Sequence, residues 1–434
     1  GCAQHEVPEP PGVSTLDSTA VPSTIILAIG CTFRADRTTP YGHTVDTTPY
    51  LARLADEGVL FDRMLANAAW TRAGVAALVS GYSPARWGID DTGRNIHNRG
   101  LPDDVETLAE RLSAAGWATA GATGNPNVNP VFGLPQGFEF YQGTDKLFRD
   151  GQSHVPGPEM VDRLIEQVQA AEAASPGAPV FAQVVFIDAH DPWDLRPLEQ
   201  LRQGRLPGSS GADRYDASLK SLDEAFAELD RRLVEIGRGD RILIVTGDHG
   251  EGLRVPEWAA GGHGFTLYEP QIHIPLIVHG PGVSAGRRVG GIAQQLDILP
   301  TVLGLAGLPA DPQLPGTDLG PAIRGEVSVS PTPEVLSVTR VMRTDRWRIT
   351  TPEWTAIEAL QPKKLKHGRV ANELFPSSDR IQQHNIASAN PWVAAALWSR
   401  GAVAFDHLKA TESVSLVVPS DVETEQLRML GYVE

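Results

Sequence analysis

Acidic and imidazole side chains follow stretches of the sequence that are typical of buried strands. Asp248 and His249 come directly after the run ILIVTG and precede a glycine. A carboxylate and an imidazole on one sharply turning loop can bind the same metal ion. The alternative is an aspartate that caps a turn beside an exposed histidine. Cys31 follows a second such run, STIILAIG, and His190 follows a third, PVFAQVVFID. Because open α/β sheets bind ligands at the carboxyl ends of their strands, these four residues are candidate site residues.

Two further side chains have settings that permit catalysis. Thr71 begins TRAGVAALV, a predicted helix. Its plain interpretation is an N-cap. Its functional interpretation is a nucleophile, whose alkoxide the helix dipole and a nearby cation would stabilise. His263 lies in GGHGFTLYE, a glycine-rich setting that suits a metal or anion contact better than a core position. His190 and His263 could equally be surface histidines on loops.

The elements that must position these residues alternate along the chain. STIILAIG, WATAGAT, PVFAQVVFID, RILIVTG and HIPLIVHGPG are typical of strands, and amphipathic stretches such as YDASLKSLDEAFAELDRRLVEIG separate them. The alternation predicts an α/β fold with a large, mostly parallel sheet between helices. PEVLSVTRVMRTDRWRITTPEW predicts a hairpin in a smaller C-terminal α+β subdomain. We therefore expect a tether over 1–22, an α/β domain over 23–325 and the subdomain over 326–434.

Composition excludes several classes of protein. The 434 residues carry a formal net charge of −16, which argues against a nucleic-acid surface. No apolar run reaches the roughly 18–20 residues that a membrane-spanning helix needs. The two cysteines, Cys2 and Cys31, do not form a disulfide framework, and a bridge between them would tie the core to a predicted tail.

The first residues predict a lipid anchor. The chain begins GCAQHEVPEPPG, and the Gly-Cys pair is similar to the end of a bacterial lipobox. Cys2 would then carry the lipid, and the Pro, Ser and Thr content that follows fits an extended tether. The alternative is an arbitrary chain boundary that happens to fall at Cys2. The lipid interpretation predicts a periplasmic or surface lipoprotein of the bacterial cell envelope, bound to the membrane through Cys2.

Several ordered blocks resemble the sulfatase family of the alkaline-phosphatase superfamily. They are CTFRADRTTPYGHTVDTTPYLARLADEGVLFDRMLANAAWT, GNPNVNPVFGLPQGFEFY, FIDAHDPWD, TGDHGEG with GGHGFTLYEPQIHIPLIVHGPGV, and ELFPSSDRIQQHNIASANP. The resemblance covers roughly Ser23 to Glu434. It implies the family's α/β fold and the hydrolysis of sulfate or phosphate esters at a metal site.

The resemblance also assigns roles. It implies that Asp248 and His249 are metal ligands and that Thr71 lies at the nucleophile position. It places His190 and His263 where family members contact the anionic group of the ester or protonate the leaving oxygen.

Two departures change the expected chemistry. Sulfatases use a Cys or Ser within C/S-x-P-x-R that is converted to formylglycine, whereas this chain reads TRAGV from Thr71. Cys31 replaces the metal-binding aspartate of the family's first strand. A thiolate binds Zn²⁺ well and Ca²⁺ or Mg²⁺ poorly, so Cys31 as a ligand would favour Zn²⁺. Otherwise the site binds no metal and Cys31 is a small buried hydrophobic residue.

Two hypotheses follow. In the first, a divalent metal serves an ester hydrolase or transferase in which Thr71 attacks sulfur or phosphorus and His263 or His190 serves the leaving group. In the second, the protein is a catalytically degenerate sulfatase-like protein, anchored by Cys2, that binds protein partners or has a structural role. The segments 143–158, 195–214 and 352–372, where family specificity would reside, match no pattern that we can interpret.

Overall fold

The computed structural model describes residues 21–90, 99–144, 155–193, 211–254, 261–341, 344–359, 372–410 and 415–430. Cys2, most of the predicted tether and much of the three uninterpreted segments lie outside these residues.

The elements alternate as the sequence predicts. The strands are β1 (Thr24–Gly30), β2 (Val59–Phe61), β3 (Met64–Leu65), β4 (Arg99–Gly100), β5 (Ala118–Thr123), β6 (Phe140–Gln142), β7 (Val180–Phe186), β8 (Ile242–Gly247), β9 (Gly252–Leu253), β10 (Gly261–Gly262), β11 (His273–Ile274), β12 (Leu276–His279), β13 (Arg287–Val289), β14 (Ala293–Gln294), β15 (Val335–Val341), β16 (Thr344–Thr350), β17 (Trp354–Ala359), β18 (Asn372–Pro376) and β19 (Ser415–Leu416). The helices are α1 (Pro49–Glu57), α2 (Thr71–Ser80), α3 (Leu108–Ala114), α4 (Gly157–Ala174), α5 (Gly211–Glu235), α6 (Glu269–Ile272), α7 (Ile298–Leu305), α8 (Gly320–Ile323), α9 (Pro391–Ala410) and α10 (Asp421–Met429).

An eight-stranded, mostly parallel sheet forms the centre of the molecule, which confirms the predicted fold class. Its strand order is β13-β2-β12-β8-β1-β7-β5-β6. β1 pairs in parallel with β7 and β8, β5 pairs in parallel with β6 and β7, and β12 runs antiparallel to its two neighbours. Every residue of β1, β7 and β8 is buried, because helices cover both faces of the sheet.

The carboxyl ends of four neighbouring parallel strands lie side by side. Gly30 at the end of β1 is in register with Phe186 of β7 and Gly247 of β8. Thr123 at the end of β5 is in register with Val185 of β7. The segments that follow these strands therefore converge at one edge of the sheet.

A separate antiparallel sheet, β15-β16-β17-β18, lies in the C-terminal part of the chain. It contains the predicted hairpin and extends it to four strands. Helix α9 packs on it, and Val338, Trp347, Leu374 and Phe405 form their own buried cluster. The proposed domain boundaries at 22 and 325 stay a prediction.

One predicted strand is wrong in detail. HIPLIVHGPG forms two short strands, because β11 pairs with β3 in a three-stranded sheet while β12 pairs in the large sheet. Pro275 lies between them and has no N–H to donate to a ladder, which explains the break.

In the described part of the chain, every helix is too short or too polar to cross a membrane.

Candidate functional site

Three strand ends supply side chains of one buried cluster. Cys31 follows β1, Asp248 and His249 follow β8, and Asn125 follows β5. The N–H of Cys31 donates to the carbonyl of Phe186 at 2.9 Å, which extends the ladder with β7 by one residue. Backbone pairing therefore fixes where the thiol lies.

Helix α2 brings Thr71 to the same place. A close approach at Gly74 makes this possible, since a Cβ at that position would lie 2.2 Å from the carbonyl oxygen of Asp248. The N-cap of the helix is Trp70, and Thr71 is the first helical residue. The N-cap interpretation of Thr71 is therefore wrong, because its hydroxyl points into the cluster rather than back onto its own helix.

We call Cys31, Thr71, Asp248 and His249 the Cys31 cluster. The Oγ1 of Thr71 lies 3.4 Å from the Sγ of Cys31 and 3.3 Å from the Nε2 of His249. The Oδ2 of Asp248 lies 3.6 Å from that Nε2. All four residues are buried, and the potential ligand atoms of Cys31, Asp248 and His249 lie within 4.8 Å of one another. The structure thus brings together the four residues predicted as metal ligands.

A hydrogen bond to the backbone of Gly250 fixes the tautomer of His249. Its Nδ1 lies 2.7 Å from the carbonyl oxygen of Gly250, which only accepts hydrogen bonds. Nδ1 therefore donates, and Nε2 keeps a lone pair that faces the cluster. Burial and the nearby His263 lower the pKa of His249 to about 3, so its imidazole is neutral at physiological pH. The expectation of an exposed histidine at this position is wrong.

Only one of the two carboxylate oxygens of Asp248 has hydrogen-bond partners among the described residues. Its Oδ1 accepts hydrogen bonds from the backbone N–H groups of Thr32 at 2.9 Å and His249 at 2.7 Å. Its Oδ2 is buried and has no hydrogen-bond partner among the described residues. Burial raises the pKa of Asp248 to about 6, and burial together with Asp248 raises the pKa of the Cys31 thiol well above its ordinary value. A buried carboxylate oxygen without a partner is rare and points to a missing ligand.

Backbone strain accompanies this arrangement. Thr32 has φ of +55°, although it is β-branched. Such a conformation costs about 1–3 kcal/mol and is typical of functional sites. The Oγ1 of Thr32 donates to the carbonyl of Ala189 at 2.7 Å, and its N–H reaches Asp248. The strained residue therefore joins the loops after β1, β7 and β8.

The remaining two predicted residues lie next to this cluster. The ring centroids of His249 and His263 are 4.6 Å apart, and those of His263 and His190 are 5.0 Å apart. The Nδ1 of His190 lies 2.5 Å from the carbonyl oxygen of Asp191 and donates to it. His190 is buried, so the alternative of a surface histidine is wrong for it.

His263 has a carboxylate partner. Its Nδ1 lies 3.1 Å from the Oε2 of Glu251, which is buried. Burial by itself lowers the pKa of His263, but the charge of Glu251 and this hydrogen bond outweigh burial and raise it. His263 is therefore poised to carry a positive charge beside the neutral imidazole of His249.

A cavity of about 530 Å³ opens beside these histidines. His190, His263, Trp193, Arg254 and Leu430 are among its lining residues. The four members of the Cys31 cluster are not among them, and Leu430, which lines the cavity, packs with Ile187 against Cys31. The cavity is thus polar on the histidine side and apolar where the C-terminal segment covers the cluster.

Two site residues were missed by sequence reasoning. The Nδ2 of Asn125 lies 3.3 Å from the Sγ of Cys31 and 3.4 Å from the Oγ1 of Thr71. Its position two residues after the end of the strand WATAGAT was a usable signal. Glu251, in DHGE, was the other. Asp188, the last residue of PVFAQVVFID, accepts a hydrogen bond from the N–H of Gly157 at the start of α4, which is a capping role.

The similarity of this chain to known proteins agrees with the family that its sequence resembles. The family model described as Sulfatase matches residues 23–308. Arylsulfatase A of Bos taurus is 28% identical over 338 residues, which cover 66% of this chain and 64% of the relative. N-acetylgalactosamine-6-sulfatase of Sus scrofa is 26% identical over 339 residues, 67% of this chain and 64% of the relative. The chain therefore matches 64% of the length of each of these curated relatives.

A solved structure shares the fold. The phosphonate monoester hydrolase of Silicibacter pomeroyi superposes with a TM-score of 0.67 at 17% identity, over 88% of this chain and 94% of that one.

Proposed function

The chain belongs to the sulfatase family, and we propose that it is a metal-dependent hydrolase or transferase of sulfuric or phosphoric esters with Thr71 as its nucleophile. The convergence of Cys31, Asp248, His249 and Thr71 on one buried point carries this proposal. A sulfur, an oxygen and a nitrogen atom face each other there, and the Oδ2 of Asp248 lacks a partner among the described residues.

The spacing of these atoms favours Zn²⁺. Ligand atoms arranged tetrahedrally at about 2.0–2.3 Å from an ion lie about 3.5 Å from one another. The Oγ1 of Thr71 lies 3.4 Å from the Sγ of Cys31 and 3.3 Å from the Nε2 of His249. The Oδ2 of Asp248 lies 3.6 Å from the same Nε2, so all three distances are close to this value. Ca²⁺ and Mg²⁺ prefer oxygen ligands, so a thiol in the set argues for Zn²⁺.

The cation and three side chains of this chain would each have a separate role in the reaction. A bound divalent cation would stabilise the charge that develops on the attacking and ester oxygens. The hydroxyl of Thr71, at the start of α2, would attack sulfur or phosphorus while the bond to the ester's alcohol oxygen breaks. Charged His263, held by Glu251, would attract the anionic group of the ester, and His263 or His190 would protonate the leaving oxygen.

The nucleophile distinguishes this protein from formylglycine sulfatases. A threonine cannot be converted to formylglycine, so Thr71 has to act through its own hydroxyl. His249 is too weak a base to take the proton of that hydroxyl at neutral pH, because its pKa is about 3. A bound cation would lower the pKa of the Thr71 hydroxyl so that its proton is lost to solvent, and water or an acceptor alcohol would later cleave the covalent ester on Thr71.

Turnover tests this function. Zinc-loaded protein is assayed with aryl phosphate and aryl sulfate esters, alongside Thr71→Val and Thr24→Val. Thr71→Val should lower kcat/KM by about 10³-fold or more, since it removes the nucleophile without changing the side-chain shape. Thr24 is the matched control, because it is also buried and its hydroxyl has no partner among the described residues. Equal turnover by Thr71→Val and the wild type would overturn the assignment.

A second function is favoured by one observation. Thr71 is fully buried and is not among the residues that line the cavity, and Leu430 packs against Cys31. A closed site of this kind fits a degenerate sulfatase-like protein that binds protein partners. In that case zinc-loaded wild type turns over neither ester, and Thr71→Val and Asp248→Asn leave partner capture unchanged.

We propose in addition that Cys2 carries a lipid that holds the protein in the bacterial cell envelope. The Gly1-Cys2 pair and the Pro, Ser and Thr content of the residues after it support this. Mass spectrometry of the N-terminal peptide from bacterial membranes should find an acylated Cys2, and Cys2→Ser should move the protein to the soluble fraction. An unmodified Cys2 in membrane-bound protein would contradict it.

A further inference from the structure

A second buried charged cluster lies between the large sheet and the C-terminal sheet. We call Glu269, Arg63, Arg348 and Arg380 the Glu269 cluster. The Oε1 of Glu269 accepts from Arg63 at 2.8 Å and from Arg380 at 3.1 Å, and its Oε2 accepts from Arg348 at 2.5 Å. Glu269, Arg63 and Arg348 are buried.

The charges of this cluster do not balance. In the described part of the chain, the three arginines form ion pairs with Glu269 alone. One carboxylate therefore faces three guanidinium groups, within a protein whose net charge is −16. Burial and two neighbouring arginines lower the pKa of Arg63 to about 10, although Glu269 opposes this. Uncompensated buried charge is costly, so the surplus calls for an anion.

A cavity of about 430 Å³ lies at the open side of this cluster. Its charged and imidazole lining residues are Arg34, Asp36, Arg37, Glu269, His273 and Arg380. Arg34 and Arg37 are each held in fork geometry by their own aspartates, Asp36 and Asp216. These two pairs are neutral as units. Of the Glu269 cluster, Glu269 and Arg380 line the cavity, whereas Arg63 and Arg348 lie outside its described walls and add positive charge from a longer distance.

The cavity is separate from the one beside the histidines. The two share no lining residue among those described. The loop after β8 stands between them, since the N–H groups of Gly250 and Glu251 donate to the carbonyls of Gln271 and Pro270 at 3.0 and 2.9 Å. An anion in the second cavity would thus lie behind the candidate active site rather than in it.

We propose that this second cavity is a binding site for a small divalent oxyanion, sulfate or phosphate, with Arg380 as its outer contact. A doubly charged tetrahedral anion would compensate the two surplus charges of the Glu269 cluster. The forked donors of arginine match its oxygens. Arg380 is the member of the cluster that solvent reaches, since 44% of its side chain is exposed.

Thermal unfolding with added anion tests the proposal. Full-length protein is titrated with inorganic sulfate or phosphate, and with chloride at equal ionic strength. A bound oxyanion raises the Tm as its concentration exceeds the Kd, whereas chloride should have little effect. Arg380→Gln should weaken the apparent affinity by about tenfold or more, the effect of losing one charge-assisted hydrogen bond. Arg380→Lys, which keeps the charge, should lose less.

Two controls separate the possible sources of the effect. Arg400→Gln removes a similarly exposed arginine that pairs with Glu334 elsewhere on the surface, and it should respond like the wild type. His263→Ala removes a cationic side chain from the histidine cavity and should keep the response if the anion binds at the Glu269 cluster. A response that Arg380→Gln retains, or that His263→Ala abolishes, would overturn the proposal. So would a wild type that sulfate and phosphate stabilise no more than chloride does.

Discussion

The Cys31 cluster and the Glu269 cluster bury polar groups with opposite imbalances. The Cys31 cluster has a carboxylate, a thiol, a neutral imidazole and a hydroxyl, and among the described residues no N–H or O–H group donates to the Oδ2 of Asp248. The Glu269 cluster has three guanidinium groups around one carboxylate. The first is therefore short of positive charge and the second has too much of it.

The contrast indicates which kind of ligand each cluster lacks. Buried groups are normally paired, so an imbalance that the fold maintains indicates what is missing. At the Cys31 cluster the missing partner is a cation that accepts sulfur, nitrogen and oxygen ligands. At the Glu269 cluster it is an anion. Two predictions test this contrast, and a third tests the same principle at a buried carboxylate outside both clusters.

Removing the single carboxylate of the Glu269 cluster should have the largest effect on stability. Glu269→Gln leaves three arginines near one another without a counter-charge, two of them buried, and should lower the free energy of unfolding by about 3–5 kcal/mol. Denaturant unfolding measures it. Glu334→Gln, which breaks the surface pair with Arg400, is the matched control and should cost about 1 kcal/mol or less. If both variants lose the same free energy of unfolding, the arginines of the Glu269 cluster do not carry an uncompensated positive charge.

Changing the thiol should alter the metal preference of the Cys31 cluster. Cys31→Ser replaces sulfur by an oxygen that binds Zn²⁺ less well, so the zinc affinity should fall by about 100-fold while Mg²⁺ binding does not weaken. Competition with a zinc chelator measures the change. Cys2→Ser alters the chain's other cysteine and should leave the affinity unchanged. An unchanged affinity in Cys31→Ser would show that the thiol is a packing residue.

A buried carboxylate outside both clusters provides a smaller test of the same principle. Burial raises the pKa of Asp223 to about 7, although the N–H groups of Tyr50 and Leu51 donate to it at 2.8 and 2.9 Å. The folded state therefore keeps a proton that the unfolded state loses near pH 4. Stability should fall as the pH rises from about 4 to 7, by an amount on the order of 1–3 kcal/mol.

Asp223→Asn isolates that contribution, because asparagine does not titrate. The stability of the wild type relative to Asp223→Asn should decline across this pH range in urea unfolding experiments. A difference between the two proteins that stays constant from pH 4 to 7 would contradict the assignment.

The sequence predicted the sheet and most of the Cys31 cluster because both depend on local patterns. Apolar runs mark the strands, and polar residues at their ends meet wherever the strands are parallel neighbours. This reasoning located Cys31, Asp248 and His249. It could not supply the close approach at Gly74 that seats Thr71, since that distance depends on the packing of α2 against another loop.

What the sequence did not reveal depends on contacts between distant segments. Arg63, Glu269, Arg348 and Arg380 come from four separate parts of the chain, and no spacing links them. Asn125 had a local signal, but its role appears only when its Nδ2 is found between Cys31 and Thr71. The break of HIPLIVHGPG at Pro275 likewise reflects the pairing of each half with a different sheet.

The metal content of the purified protein tests the central claim most directly. Elemental analysis is carried out on the wild type and on Asp248→Asn, after both have been equilibrated with Zn²⁺ and dialysed. Asparagine can still accept the hydrogen bonds from Thr32 and His249, so the variant should fold, and circular dichroism checks this. We predict about one zinc ion per wild-type chain and a large loss in Asp248→Asn. A wild type without stoichiometric metal, or a variant that retains it fully, would contradict the assignment of the Cys31 cluster as a metal site.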